Sequence, residues 1–145
     1  MEQNRENQVW QRVLGTEETP PASTLQGLIR ESAELAAVYR RCGEKLNGRE
    51  KQLARQLLEM EQSNGNRLRG IAHLSGENRE VLNHWTPVSS FGPHLLDKCY
   101  HRSLRCRSEC AARCLDPQYG EVYRELAERL GRQCGLITEL IGRMA

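Results

Sequence analysis

The sequence predicts an all-α protein, an antiparallel four-helix bundle preceded by a short N-terminal helix or arm. Three observations predict it. Four stretches carry apolar residues at three- and four-residue spacing, the pattern of a helix with one buried face. Arg, Glu, Leu, Gln and Ala dominate, and these are helix formers, whereas aromatic residues make up 5% with one Phe and two Trp, too few for a β-sandwich or barrel. One long stretch without periodicity, residues 77–93, divides the four helices two and two. A chain of 145 residues suits one domain with one core. The expected division is an arm and linker over residues 1–22 and a bundle over 23–145.

Residues 3–14 read as the short helix or arm, with an apolar edge of Val9, Trp10, Val13 and Leu14. Gly15 ends it, and Pro20-Pro21 marks a linker. The first bundle helix starts at a Ser23 or Thr24 N-cap and carries Leu25, Leu28, Ile29, Leu35, Ala36, Tyr39 and Cys42 on one face. Asn47-Gly48 is a turn signal. The second helix runs from about Arg49 to Leu74 with Leu53, Leu57, Met60, Leu68 and Ile71 facing inward, and Gly76 stops it. In the long connection, Trp85 and Phe91 are expected over a bundle end. The third helix runs from about His94 to Leu115, with Leu95, Leu96, Cys99, Ser103, Cys106, Cys110 and Cys114 on or beside its inner face. Asp116-Pro117 breaks it, because a residue before proline is disfavoured in the α region. The fourth helix runs from about Gln118 to Arg143, with a stripe of Val122, Tyr123, Leu126, Leu130, Cys134, Ile137 and Ile141. Glu121–Arg124 and Glu125–Arg129 are expected as ion pairs along its surface.

Composition excludes several function classes. No apolar run approaches the ~20 residues of a membrane span. The polar N-terminus has no signal-peptide core, so a cytoplasmic location is expected. Net charge is +2, from 21 basic and 19 acidic residues, a balance that suggests neither nucleic acid nor membrane. The six cysteines are read as reduced thiols, and no Cys-x-x-Cys pair marks a zinc ribbon. No Gly-rich phosphate loop, nucleophile elbow or Ser-His-Asp arrangement is visible. His73, His84, His94 and His101 form no Glu-x-x-His or His-x-x-His pair and are expected at the surface or at helix ends.

The phrases LIRESAELAAVYRR, LLEMEQSNGNRL and CYHRSLRCRSECAARCLDPQYGEVYRELAERLGRQC resemble the ferritin-like, rubrerythrin-type superfamily over about residues 24–142. The resemblance implies two helical hairpins and a di-iron cage. One Glu comes from each of two helices and a Glu-x-x-His from each of the other two. Carried onto this chain, the first-helix Glu position is Ser32, flanked by Glu31 and Glu34. The second-helix pair falls on Glu61 and Asn64, the third-helix Glu on Glu109, and the fourth-helix pair on Leu130 and Gln133. Glu61 and Glu109 alone keep the family's residue, an amide is a poor ligand beside imidazole, and Leu130 is none. A standard di-iron centre is therefore not expected.

Glu61 and Glu109 then read as a carboxylate remnant. They are expected as buried acids paired with Asn64, Gln133, Arg102 or Arg113, with a single-metal site as the alternative. Cys106, Cys110 and Cys114 repeat every four residues, with Cys42, Cys99 and Cys134 on inner faces. They read either as small core residues or as a thiolate site for Cu(I) or Zn(II). Copper-storage bundles use Cys-x-x-x-Cys repeats, and the chain is similar in that feature. No cofactor is expected; iron, copper and zinc are the ions these groups could take.

Three functions compete. The first is a divergent ferritin-like bundle without the di-iron cage, a non-catalytic binding or structural protein, with a homodimer through the arm as one form. The second is a metal-binding protein. The third is a rubrerythrin-type oxidoreductase, the least favoured, since that family also carries a Cys-x-x-Cys iron module.

Overall fold

The computed structural model describes residues 23–77 and 91–144. The expected arm, the linker, Trp85 and His84 lie outside the described residues. Four helices form: α1 (Leu25–Lys45), α2 (Gly48–Leu74), α3 (Pro93–Ala112) and α4 (Gly120–Met144), with no strand among the described residues. None of these helices is long and apolar enough to cross a membrane.

Local chemistry sets most helix ends where the sequence places them. Thr24 caps α1, its side-chain oxygen accepting from the Gly27 N–H at 2.9 Å. Gly76 takes φ +80°, and the Glu77 N–H donates to the Ala72 carbonyl at 2.8 Å, which closes α2 with a left-handed glycine after the C-cap. The end of α3 differs from expectation. It stops at Ala112, three residues before Leu115, and Leu115 is 89% exposed. The Arg113 and Cys114 N–H groups already bond three residues back, to Cys110 and Ala111, so the final turn tightens and leaves the helix. Asp116 turns outward from there, and its carboxylate accepts from the Gln118 and Tyr119 N–H groups at 2.9 and 2.7 Å. The regular helix of α4 begins after that turn, at Gly120 rather than Gln118. A Cβ built on Gly120 would overlap the Cys114 carbonyl oxygen, so this close return needs glycine.

α1 packs along α2, and α3 along α4, as two hairpins. α2 then lies against α4, and α1 meets α3. Contacts between the hairpins give the directions. Arg49 meets Glu139 and Arg67 meets Glu125, so α2 and α4 are antiparallel. Leu28 shares a core cluster with Cys110, and Cys42 shares one with Leu95, so α1 and α3 are antiparallel too. The chain leaves α2 where Gln26 Nε2 donates to the Glu77 carbonyl, beside the start of α1. It re-enters at Phe91, packed on the cluster beside the end of α1. The connection therefore links opposite ends of the bundle, the arrangement of four-helix folds with one long crossover.

The core is split in two. One cluster holds Leu28, Leu68, Ile71, Cys110, Leu126 and Leu130, the other Leu35, Tyr39, Leu57, Leu96, Ile137 and Leu140. Met60, Val122 and Ile141, expected inside, are half-buried. Glu61 takes the inward place beside Met60, and on α4 Gln133 and Leu140 are buried.

Candidate functional site

A polar layer lies between the two apolar clusters. Ser32 of α1, Glu61 and Asn64 of α2, Ser103 of α3 and Gln133 of α4 are each no more than 4% exposed. Glu61 and Asn64 stand three residues apart on one helix face. Gly65 lets α1 come close, for a Cβ there would stand 3.1 Å from the Ser32 hydroxyl. Hydrogen bonds run across the layer. Ser32 donates to Glu61 Oε2 at 2.7 Å, Gln133 Nε2 donates to Glu61 Oε1 at 2.8 Å, and Asn64 Nδ2 donates to Gln133 Oε1 at 2.6 Å. These are the positions that the resemblance assigns to metal ligands on three of the four helices. On the fourth, α3, the inward residues at this level are Ser103 and Cys106.

Among the described residues, Glu61 has no ion-pair partner. Burial raises its pKa, and the hydrogen bonds from Ser32, Gln133 and Asn64 and the field of Arg102 only partly oppose this. Among the described residues, Asn64 Oδ1 is buried without a hydrogen-bond partner, and the buried Tyr39 and Ser103 hydroxyls find a partner only in each other. A neutral Glu61 supplies a hydroxyl donor to this layer, and Asn64 Oδ1 is an acceptor still without a donor. A cavity of about 10 Å³ adjoins, lined by Ser32, Glu61, Asn64, Cys106, Cys110 and Leu130 among others, with room for a single water-sized group.

The other candidates are placed differently. Glu109 is half-buried and does not line the cavity, so the structure does not bring Glu61 and Glu109 together there. Arg102, considered as a partner for these acids, instead holds Glu31 Oε1 at 2.8 Å and Glu34 Oε1 at 2.5 Å. Arg113 donates to the Ser23 carbonyl and lies over the Tyr123 ring. Of the thiol series, Cys106 and Cys110 are buried, whereas Cys114 is exposed beyond the end of α3. Burial pushes Cys42, Cys99 and Cys110 up to about 12 and raises Cys106 and Cys134 as well. These thiols are protonated near neutral pH, and the thiolate is the form that binds metal or attacks. Among the described residues, no three His, Cys, Asp or Glu side chains come together in a group that could hold a metal ion. His73, His94 and His101 are exposed.

The donor set does not fit a di-iron centre. Two amides spend donors and acceptors on each other and on Glu61, Leu130 offers nothing, and one carboxyl remains. Counting from the resemblance found Ser32, Asn64 and Gln133. It missed Ser103 and Tyr39, whose only signal was their place on the inner stripes.

Compared with protein-family models, with curated proteins and with solved structures, the chain matches none.

Proposed function

We propose that this chain is a divergent ferritin-like bundle without a complete di-iron site, acting as a non-catalytic binding or structural protein. The Ser32–Glu61–Gln133–Asn64 network carries the reading. Ser32, Glu61, Asn64 and Gln133, at the former ligand positions, hydrogen-bond one another with Asn64 Oδ1 left over, which favours a polar core over an open coordination sphere. The crossover between opposite ends of the bundle supports the same ancestry.

Elemental analysis of untagged protein purified without air tests this. The expected result is no stoichiometric metal, including after incubation with ferrous iron. Iron near two per chain would overturn it and restore the oxidoreductase reading.

A second reading has one observation in its favour: Cys106 and Cys110 share a cavity with Glu61. It makes this spot a site for Cu(I) or Zn(II), the ion displacing the thiol protons. Bound copper or zinc that is lost in Cys106→Ser and Cys110→Ser would favour it over the first. Glu109 and Cys114 belong to that reading only if retention of metal also depends on them. A homodimer through residues 1–20 is proposed alongside, and unchanged mass by light scattering after their deletion would remove it.

A further inference from the structure

A cavity of about 220 Å³ opens at the surface of the first hairpin, where the last turns of α1 lie beside the first turns of α2. Four charged side chains line it, Arg40 and Glu44 from α1 and Lys51 and Arg55 from α2. Elsewhere on the surface arginines meet carboxylates. Arg49 and Arg143 hold Glu139, Arg124 holds Glu121, and Arg67 takes Glu125, which the spacing on α4 assigns to Arg129. The cavity departs from that pattern. Among the described residues, Arg40, Lys51 and Arg55 have no ion-pair partner, and Glu44, one turn after Arg40, does not close a pair with it.

Two further features make this place electropositive. Lys51 and Arg55 stand one turn apart on α2, a spacing at which like charges oppose each other. Lys51 also sits near the start of α2, the positive end of the helix dipole, and Asn47 gives that end no side-chain cap. The rest of the lining is apolar. It consists of Tyr39, the half-buried Leu58, and Gly43, where an added Cβ would meet nothing within 4 Å.

Charge and lining together describe a ligand. Three cations and one carboxylate leave two positive charges, and a phosphate monoester carries about −1.5 to −2 near neutral pH. Guanidinium forks match phosphate oxygens two at a time, and an ammonium adds a point charge. The cavity continues past the cations over Gly43 and Leu58, an apolar bed for a small organic body. Glu44 repels an anion but accepts from a hydroxyl on such a body. We propose that the α1–α2 groove binds a small, hydroxyl-bearing phosphate monoester through Arg40, Lys51 and Arg55. The site lies outside the buried polar layer and stands whichever reading of that layer holds.

Isothermal titration of the full chain at constant ionic strength tests it with three probes: ribose 5-phosphate, AMP and inorganic phosphate. At least one monoester is expected to bind saturably, one per chain, and more tightly than inorganic phosphate. Arg55→Gln, at an exposed position, is expected to weaken that binding about tenfold, the loss of one charge-assisted hydrogen bond. Gly43→Leu keeps every charge and replaces glycine with a better helix former, but fills the cavity, and is expected to weaken binding at least as much. Arg105→Gln, at an exposed position on α3, removes the same charge elsewhere and is expected to change nothing. Circular dichroism checks that each variant folds, and if Gly43→Leu does not, Arg55→Gln and Arg40→Gln decide. The proposal is overturned if neither monoester binds saturably, or if inorganic phosphate binds as tightly as both. It is also overturned if binding survives the folded groove variants, or if Arg105→Gln weakens it equally.

Discussion

Glu61 is a carboxyl fully buried without a cation, and its behaviour follows from its raised pKa. In the unfolded chain a glutamate titrates near its ordinary value of about 4.3. Between that value and the raised folded one, the folded chain holds a proton that the unfolded chain has lost. The stability Glu61 contributes is complete below the ordinary value and is lost as pH rises through the folded value. Glu61→Gln keeps the shape of the protonated acid and has no charge to bury. Thermal unfolding followed by circular dichroism between about pH 5 and 8 should show wild type weakening with rising pH. The variant should lack that decline and be no less stable near neutrality; a decline of the same size in both would assign it to another group. The network's members were legible through the resemblance, whose ligand positions fall on Ser32, Glu61, Asn64 and Gln133, and the i, i+3 spacing explains only why Glu61 and Asn64 share a helix face. The Cys106–Cys110–Cys114 series was not legible to its end. Each four-residue step turns about 40° beyond a full circle, and α3 stops before Cys114.

Among the helices, the hairpins were legible and their docking was not. Periodicity, the Thr24 cap, the Asn47-Gly48 turn and Gly76 define α1 and α2 almost to the residue. The contact of α1 with α3 depends on side chains far apart in sequence. Arg102 of α3 bridges Glu31 and Glu34 of α1, and Arg30 holds the other oxygen of Glu34 at 3.0 Å. The Arg102 side chain is 18% exposed and the two acids 15% and 10%, so this is largely a desolvated cluster. Burial alone would lower the Arg102 pKa, but Glu31 and Glu34 more than reverse it. Arg102→Ala leaves two carboxylates short of a cation and should cost about 3 kcal/mol in urea unfolding, at the low end for a broken buried pair because some solvent reaches it. A loss below about 1 kcal/mol would mark the cluster as an ordinary surface pair. No spacing rule announces Arg102, since i, i+4 counting looks only along its own helix. The same limit hides the reach of Glu125 to Arg67.

On the scale of the molecule, two apolar half-cores enclose one polar layer, and the two hairpins meet across it. Sequence could supply the hairpins and the length of the connection; that this connection runs end to end emerges only from which clusters Cys42 and Leu28 join. Five of the six cysteines are buried, four of them in these cores, and Cys114 alone is exposed. A colorimetric thiol titration of native, reduced protein should therefore find one fast-reacting group, with the other five appearing only in denaturant. Several fast thiols in buffer would mean that the half-cores open readily. The polar layer also acts as an alignment key. Sliding α4 by one turn along α2 would set Leu130 or Ile137 opposite the Glu61 carboxyl, which would lose its donor from Gln133. An apolar seam tolerates such slippage, but a single buried hydrogen-bonding pair makes every shifted register worse by about 1–3 kcal/mol. A few polar atoms thereby select one axial setting of the hairpins, as a lone buried asparagine does in a coiled coil.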